Sequence, residues 1–494
     1  MATIDPRTPV IVAVGQHTQR TNQGADVLEP AALLAEAIRA ALADGAPGDL
    51  GGAVDSVRMV RSLSADDYRN APLLVAQLAG IAPREHVVIS GGGETPGAAL
   101  ARACADIAAS ANDVVVIVGG EAWFSHTRAQ RAGARLVLTE QAVDTPAPVE
   151  HGSMIEFVHP AERARGIDRP IQEYPLFENA LRADLGNSVA DHQQHLGRFC
   201  ARLSVAATAN PYAWDRTPHT ADEIATPTNS NRLVGSPYTK LMVSNEQVDM
   251  AAALVVTSVE RATALGIARD RWVFPLAVAT GGAPPISERF ELHDSVLARE
   301  VGRALAALVG VPCADATHID LYSCFPSAVQ IQARELGLDA TRSLSLTGGM
   351  RFAGGPWCAY SMHAFAAMVD TLRRDPGALG LVSANGGAIT KLAVTMLSTT
   401  PRAPFRYASA QAAIDASPRR RVAEEFVGTA TVETFTVMHG RDGRAEYGIV
   451  ACHTPDDRRA WGIVRDPDAV EHMATEDVVG HHAVIAVDGR ADID

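Results

Sequence analysis

Short, unbroken apolar runs alternate with Ala/Leu-rich segments of helical spacing through the first 120 residues. Residues 10–14, closed by Gly15, have the apolar character of a strand buried on both faces. A helix is predicted over 29–43, where Asp44-Gly45 stops it, and a strand over 54–60. A second helix is predicted over 68–78, with Pro72 near its start and Gly80 after it. A third strand over 86–90 runs into the loop Gly91-Gly-Gly-Glu-Thr-Pro-Gly97, a helix over 98–111 and a fourth strand over 113–118, closed by Gly119-Gly120-Glu121. This β-α-β-α-β-α-β rhythm implies a mostly parallel sheet covered by helices.

From 122 to about 243 the rhythm breaks, and aromatic residues and Pro-rich turns surround helical pieces at 175–185 and 191–209. This stretch reads as an insertion that caps the sheet. Alternation returns with a strand over 251–257 and a helix over 259–265. A second α/β half follows: strands at 273–278, 318–322, 379–383 and 392–397, and helices at 294–308, 327–336 and 357–372. The two halves share a layout, which points to internal duplication. Pro401-Arg-Ala-Pro404 signals a linker. Beyond it, 431–437 alternates with period two, a turn at 439–443 leads into 445–452, and further strands are expected at 460–464 and 483–487. This predicts a small antiparallel β-barrel. The expected division is 1–270 with an insertion over 122–243, then 271–400, then 401–494.

Composition narrows the function classes. The chain has 494 residues, 47% hydrophobic and 20% charged, so it can bury a large core and is not mainly disordered. Its apolar runs are too short to span a bilayer, and the N-terminus lacks a secretory pattern. The net charge of −14 argues against a nucleic-acid partner. Six scattered cysteines include no Cys-x-x-Cys pair, so neither a tetrathiolate metal site nor a disulfide framework is expected, and a reducing cytoplasm is the expected location.

Five motifs in order carry a resemblance to the thiolase superfamily. Ser236 to Ser258 contains Asp249-Met-Ala-Ala-Ala-Leu-Val-Val, similar to the family's D-G-A-A-A-L-V-L, with Met250 in place of Gly. The strand ending in Gly119-Gly120-Glu121 resembles D-V-x-V-A-G-G-x-E-S. Asp320-Leu-Tyr-Ser-Cys-Phe325 resembles the N-E-A-F or H-D-C-F loop, Gly348 to Pro356 the G-G-x-x-x-x-G-H-P loop, and Ser383-Ala-Asn-Gly-Gly-Ala388 the last loop, C-x-G-G-G. The resemblance covers residues 8–400 and implies an α/β thiolase fold, with two similar βαβαβαββ halves forming a five-layered αβαβα core and a loop domain inserted in the first half. The chain also resembles the actinobacterial thiolase-like proteins of type 1, which carry a β-rich C-terminal addition.

The resemblance implies an acyltransferase of the acetyl-CoA acetyltransferase type, with a cysteine nucleophile at the helix after the third strand, a second acid/base cysteine and a histidine oxyanion donor. Matched residue by residue, Glu94 (or, shifted by one, Gly93) stands at the nucleophile. Tyr322 and Ser323 stand at the water-holding pair, Gly355 at the histidine and Ser383 at the acid/base cysteine. Cys324 matches the H-D-C-F cysteine, which is not a nucleophile in that family. An acid at a helix start also serves the helix dipole, and a phenol at a strand end also serves packing. Cys358, at a predicted helix start where a lowered pKa is expected, is a candidate displaced nucleophile; His363, eight residues beyond Gly355, is expected on a helix face. His192 and His195 are three apart on a predicted helix and read as surface or capping residues rather than metal ligands.

Three readings follow. The first is a thiolase-like pseudoenzyme of lipid metabolism that binds an acyl-CoA or related thioester without thiolysis. The second is an acyltransferase with a relocated nucleophile, Cys358 or Glu94. The third is a scaffold acting through the C-terminal barrel. No metal or cofactor is expected beyond a CoA thioester as ligand. A homodimer is the family's default, paired through the strand before the nucleophile loop; the three glycines after that strand specify register poorly and leave a monomer open.

Overall fold

The computed structural model describes residues 4–20, 27–45, 49–154, 157–402 and 404–494. The strands along the chain are β1 (Pro9–Thr18), β2 (Ser56–Val60), β3 (Glu85–Ser90), β4 (Val114–Ala122), β5 (Val149–Gly152), β6 (Leu233–Gly235), β7 (Tyr238–Thr239), β8 (Asp249–Ser258) and β9 (Phe274–Gly282). They continue with β10 (His318–Asp320), β11 (Gly380–Gly386), β12 (Lys391–Ser398), β13 (Arg406–Ser409), β14 (Gly428–His439), β15 (Ala445–His453), β16 (Arg459–Val464), β17 (His482–Ile485) and β18 (Ala491–Ile493).

The expected duplication is present in the hydrogen bonding. The first sheet has the order β1-β8-β4-β2-β3-β5, and the second contains β9-β12-β11-β10. In each, the first strand pairs antiparallel with the last, the last antiparallel with its neighbour, and that neighbour parallel with the next. The sheets meet where Ile11 and Val273 exchange both backbone hydrogen bonds, at 2.8 and 3.0 Å.

Helices α1 (Pro30–Asp44) and α2 (Ala71–Ala79) pack outside the first sheet. The second begins three residues later than its apolar pattern suggests, because Asn70 caps it by accepting from the Leu73 N–H at 3.0 Å. Between the sheets lies α3 (Thr95–Ala108), whose Ala99, Leu100, Ala103 and Ile107 are buried against both sheets. Its Ala-rich face is what lets two sheets share one helical layer.

The insertion supplies α4 (Pro170–Asp184) and α5 (Val189–Ala209). His192 lies here, and its expected surface position is corrected: it is fully buried, with Nε2 2.8 Å from Glu178 Oε1. Glu178 also accepts from Tyr238 Oη at 2.6 Å and Gln330 Nε2 at 2.9 Å, so the histidine completes an interior polar network. In the second half, α6 (Val296–Val309) and α7 (Pro326–Glu335) lead to α8 (Tyr360–Arg374), which joins α3 in the central layer. Layers therefore run helix, sheet, helix, sheet, helix.

Among the segments without a counterpart in the sequence reading, two extend the sheets of the α/β core. One is β5, which pairs parallel with β3 and covers its outer edge, Val87 opposite Val149. The other is β13, which adds to β9 before the third sheet begins at β14. That third sheet has the antiparallel order β16-β15-β14-β17-β18, with α9 (Pro467–Thr475) packed on it. Its two ends touch at one bridge, Ile463 to Arg490, and β6 of the insertion joins it at Met438.

The C-terminal domain is bound to the body by buried polar contacts. Arg459 is fully buried, pairs with Glu433 at 2.5 Å and donates to the Ile286 carbonyl at 2.9 Å. Burial works against the Glu433 charge, but Arg459 and His453 outweigh it and hold the carboxyl down at about 2. Trp461 Nε1 donates to Ser287 Oγ at 2.8 Å, and Thr434 Oγ1 to the Leu176 carbonyl on α4 at 2.7 Å.

Glu173 on α4 is the opposite case. Both its oxygens are buried without a hydrogen-bond partner, and burial, reinforced by Glu162, pushes the carboxyl up to about 8. The folded chain then holds a proton that the unfolded chain releases above about 4.5. Stability falls as pH rises from there to about 8, by up to about 1.4 kcal/mol per pH unit. Glu173→Gln should therefore leave stability near pH 5 little changed and raise it increasingly toward pH 8, measured by urea denaturation across that range.

Candidate functional site

The turn after β3 and the turn after β11 face each other. The first, Gly91-Gly92-Gly93, delivers Glu94 to the N-terminal end of α3. The second is Gly386-Gly387-Ala388-Ile389, in which Gly387 and Ile389 have φ of 60° and 52°. Ile389 is β-branched and fully buried, so the surrounding core imposes this left-handed backbone. Between the two turns opens a cavity of about 640 Å³.

Its floor is largely main chain, lined by Gly92, Gly93, Gly386 and Gly387. The approach is close enough that a Cβ added at Gly93 would collide with the Asn385 carbonyl oxygen and the Tyr322 hydroxyl, and would lie 2.6 Å from Tyr322 Cζ. A Cβ at Gly386 would collide with the Glu94 carboxylate. The volume beside residue 93 is thus filled by the Tyr322 phenol, and the volume beside 386 by Glu94.

The residues singled out from sequence separate into two groups. Tyr322, Cys324, Gly355 and Cys358 line the cavity. Glu94 stands at its floor: Oε1 accepts from the Gly92 N–H at 3.2 Å and lies 3.4 Å from Lys391 Nζ, while Oε2 is buried without a hydrogen-bond partner. The other three are not in the wall. Ser383 Oγ donates to Gln332 Oε1 at 2.7 Å and accepts from the Tyr322 N–H at 2.8 Å. Ser323 Oγ accepts from the Met350 N–H at 3.0 Å. His363 is buried on α8 with Nδ1 2.8 Å from Gln16 Oε1, and burial holds it down at about 3, so it is neutral.

Neither thiol in the wall is activated. Burial pushes the Cys324 thiol up to about 12. Cys358 sits in the 3₁₀ turn Trp357–Ala359, not in the first turn of α8, and its Sγ–H donates to the Gly91 carbonyl at 3.6 Å. Burial, with Glu94 and Glu121 nearby, pushes it up to about 12, opposite to the direction expected of a helix start. Burial likewise raises the Tyr322 phenol well above its ordinary value.

Several wall residues escaped sequence reasoning because their positions depend on distant elements. Tyr174 comes from α4, donates to the Gly387 carbonyl at 2.7 Å and accepts from Asn385 Nδ2 at 3.0 Å. Asn385 Oδ1 remains without a hydrogen-bond partner. Trp357, with φ of 45°, lines the wall while 40% exposed. Met438 and His439 come from the C-terminal domain, and Arg169 and Arg232 from the insertion. Among the described residues, no group of three or more His, Cys, Asp or Glu is placed to hold a metal ion, and no helix is long and apolar enough to cross a membrane.

Residues 409–490 match the family model of the thiolase-like protein type 1 additional C-terminal domain. Along its whole length the chain is similar to a monomeric SCP2-thiolase like protein type 1 from Mycobacterium smegmatis, at 33% identity and a TM-score of 0.85, with 100% of each chain covered. The Ltp2-ChsH2(DUF35) aldolase shares the fold at 20% identity and a TM-score of 0.60, over 80% of this chain and 98% of that one. No curated protein matches.

The packing around residue 93 carries a prediction. Gly93→Cys should not create a usable nucleophile, because its side chain meets a main-chain carbonyl that cannot swing away. The variant should lose about 1–3 kcal/mol of stability in chemical denaturation, the usual cost of overpacking. It should form no acyl adduct in intact-mass spectra after incubation with acetyl-CoA.

Proposed function

The chain belongs to the thiolase-like protein type 1 family, and on that premise we propose that it binds an acyl-CoA or related acyl thioester without performing thiolysis or Claisen condensation. The observation that carries this reading is the filled floor of the cavity: Tyr322 takes the space beside Gly93, the Glu94 carboxylate that stands at the nucleophile position packs against Gly386, and Ser383, at the position of the acid/base cysteine, is bonded to Gln332 outside the wall. The retained volume of about 640 Å³ falls in the ordinary range of small-molecule sites. Its wall is mainly apolar, with Phe157, Ile171, Phe325, Met350 and Trp357 suited to an acyl chain.

The high positions of Cys324 and Cys358 argue against a relocated thiolate. A scaffold role for the C-terminal domain alone fits less well, since Met438 and His439 make that domain part of the same wall. A soluble acyl-binding protein of lipid metabolism in the cytoplasm is the setting this reading supports.

The test pairs two measurements on purified protein. Acetoacetyl-CoA thiolysis should not exceed background, while octanoyl-CoA should bind and change the tryptophan fluorescence, a change that Trp357→Phe should reduce. Turnover above background would overturn the first half of the reading, and absence of binding the second.

The same reading includes a monomer. In the thiolase pattern the outer edge of the strand before the nucleophile loop pairs with the partner subunit; here β5 takes up that edge in cis. Sedimentation should give a single species near the chain mass of 52.1 kDa, and deleting residues 145–153 should expose β3 and shift the protein toward dimers.

A further inference from the structure

Consecutive carbonyls from Ile286 to Phe290 accept hydrogen bonds from the C-terminal domain. Arg459 Nη1 donates to those of Ile286 at 2.9 Å, Ser287 at 3.2 Å and Arg289 at 2.5 Å. The Arg420 N–H donates to that of Glu288 at 2.9 Å, and Arg420 Nε to that of Phe290 at 3.1 Å. Arg459 is fixed on its other edge, where Nε and Nη2 donate to Glu433 at 2.7 and 2.5 Å. The segment can shift only if the docking of the domain shifts with it.

A second run of carbonyls, Gly386 to Ile389, belongs to the floor turn of the cavity, and interior donors take all of them. The Thr390 N–H and Oγ1 donate to Gly386 at 3.1 and 3.2 Å, and Tyr174 Oη donates to Gly387 at 2.7 Å. Arg289 Nη2 donates to Ala388 and, at 2.9 Å, to Ile389. The last two bonds flank the backbone of Ile389, the buried, β-branched residue with φ of 52°. A chain in that conformation persists only where its surroundings over-determine it.

Arg289 joins the two runs. Its main chain is gripped by the C-terminal domain, and its side chain grips the floor turn. The guanidinium is buried over the Phe177 ring, 5.0 Å from its centroid, and Nε donates to the Pro284 carbonyl at 3.3 Å. Among the described residues, Glu162 and Glu173 favour its charge from beyond ion-pair distance. Burial pulls it down to about 10, so it stays charged at neutral pH. A charged planar fork binds carbonyl oxygens more strongly than a neutral donor does, and one fork reaches both Ala388 and Ile389.

We propose that Arg289 is the positioning residue of the cavity floor, and that the C-terminal domain sets its place through Arg459 and Arg420. Domain docking then fixes the floor turn, and with it the shape that a ligand meets at Asn385, Gly386 and Gly387. The geometry holds without a ligand; its effect on affinity rests on the proposed function.

Hydrogen exchange on the full chain tests this at two hydrogen-bonded amides. Thr390 reports the floor turn, and Ser287, whose N–H donates to Glu162 Oε1 at 2.7 Å, reports the gripped segment. In the wild-type protein both should open together, with the same dependence on urea below the unfolding transition. R289K keeps the charge but loses the fork; it should speed Thr390 exchange about tenfold or more and leave Ser287 unchanged. R459K should speed both. D477N, which removes a docking ion pair with Arg182 at 2.5 Å, is the control and should speed neither. Octanoyl-CoA affinity, by isothermal titration, should fall about fivefold or more in R289K and R459K and stay unchanged in D477N. Thr390 exchange unchanged in R289K overturns the role of Arg289, and acceleration confined to R289K overturns that of the C-terminal domain. A loosened floor with unchanged affinity overturns its bearing on the cavity. Should neither arginine variant fold, unequal urea dependences of Ser287 and Thr390 in the wild-type protein overturn the coupling, and equal ones support it. Failure of octanoyl-CoA to bind the wild-type protein overturns the proposed function and leaves the exchange result standing.

Discussion

The close packing of α3 between two sheets is the constraint on which the rest of this molecule depends. Gly97 marks it: an added Cβ there would lie 2.6 Å from the Ala393 Cβ on β12. Small residues along this helix let one layer serve both halves, and the same closeness brings the glycine turn before α3 against the turn after β11. Their backbones become the cavity floor. With so little space between them, few side chains can project there, and Tyr322 and Glu94 take what volume remains.

A site built this way holds titratable groups without activating them. Cys324, Cys358 and Tyr322 are all shifted by burial toward their protonated, uncharged forms. Thiolate chemistry needs the reverse environment, with exposed donors and nearby positive charge. Lys391 stands near the floor but faces Glu94, and the lining's own cations, Arg169 and Arg232, come from the insertion.

The C-terminal domain is continuous with that arrangement. Arg459, Trp461 and Thr434 tie it to the body through buried contacts, and Met438 and His439 reach the cavity wall. The edge of β3 is closed in a similar spirit by β5, a strand from the inserted segment. Both additions take surfaces of a duplicated α/β core and cover them from within the same chain.

Much of this core was legible in the sequence. Apolar runs such as 114–118 and period-two stretches such as 431–437 select their strands by local burial and pairing alone, because a strand's pattern is set by its two faces. The Gly-rich turns and the lack of cysteine at residues 93 and 94 were equally plain. Tertiary structure decided what local pattern does not encode. His192 is interior because Glu178, fourteen residues away, and Gln330, on another helix, surround it. Cys358 is shifted upward because its helix begins three residues later than the pattern suggests and the thiol lies in a buried space near Glu94. Arg169 and Arg232 share one cavity because three segments, distant in the chain, meet there. Periodicity reports which face of an element is buried; which charges and thiols meet across elements depends on packing over distances in the chain that no local pattern spans.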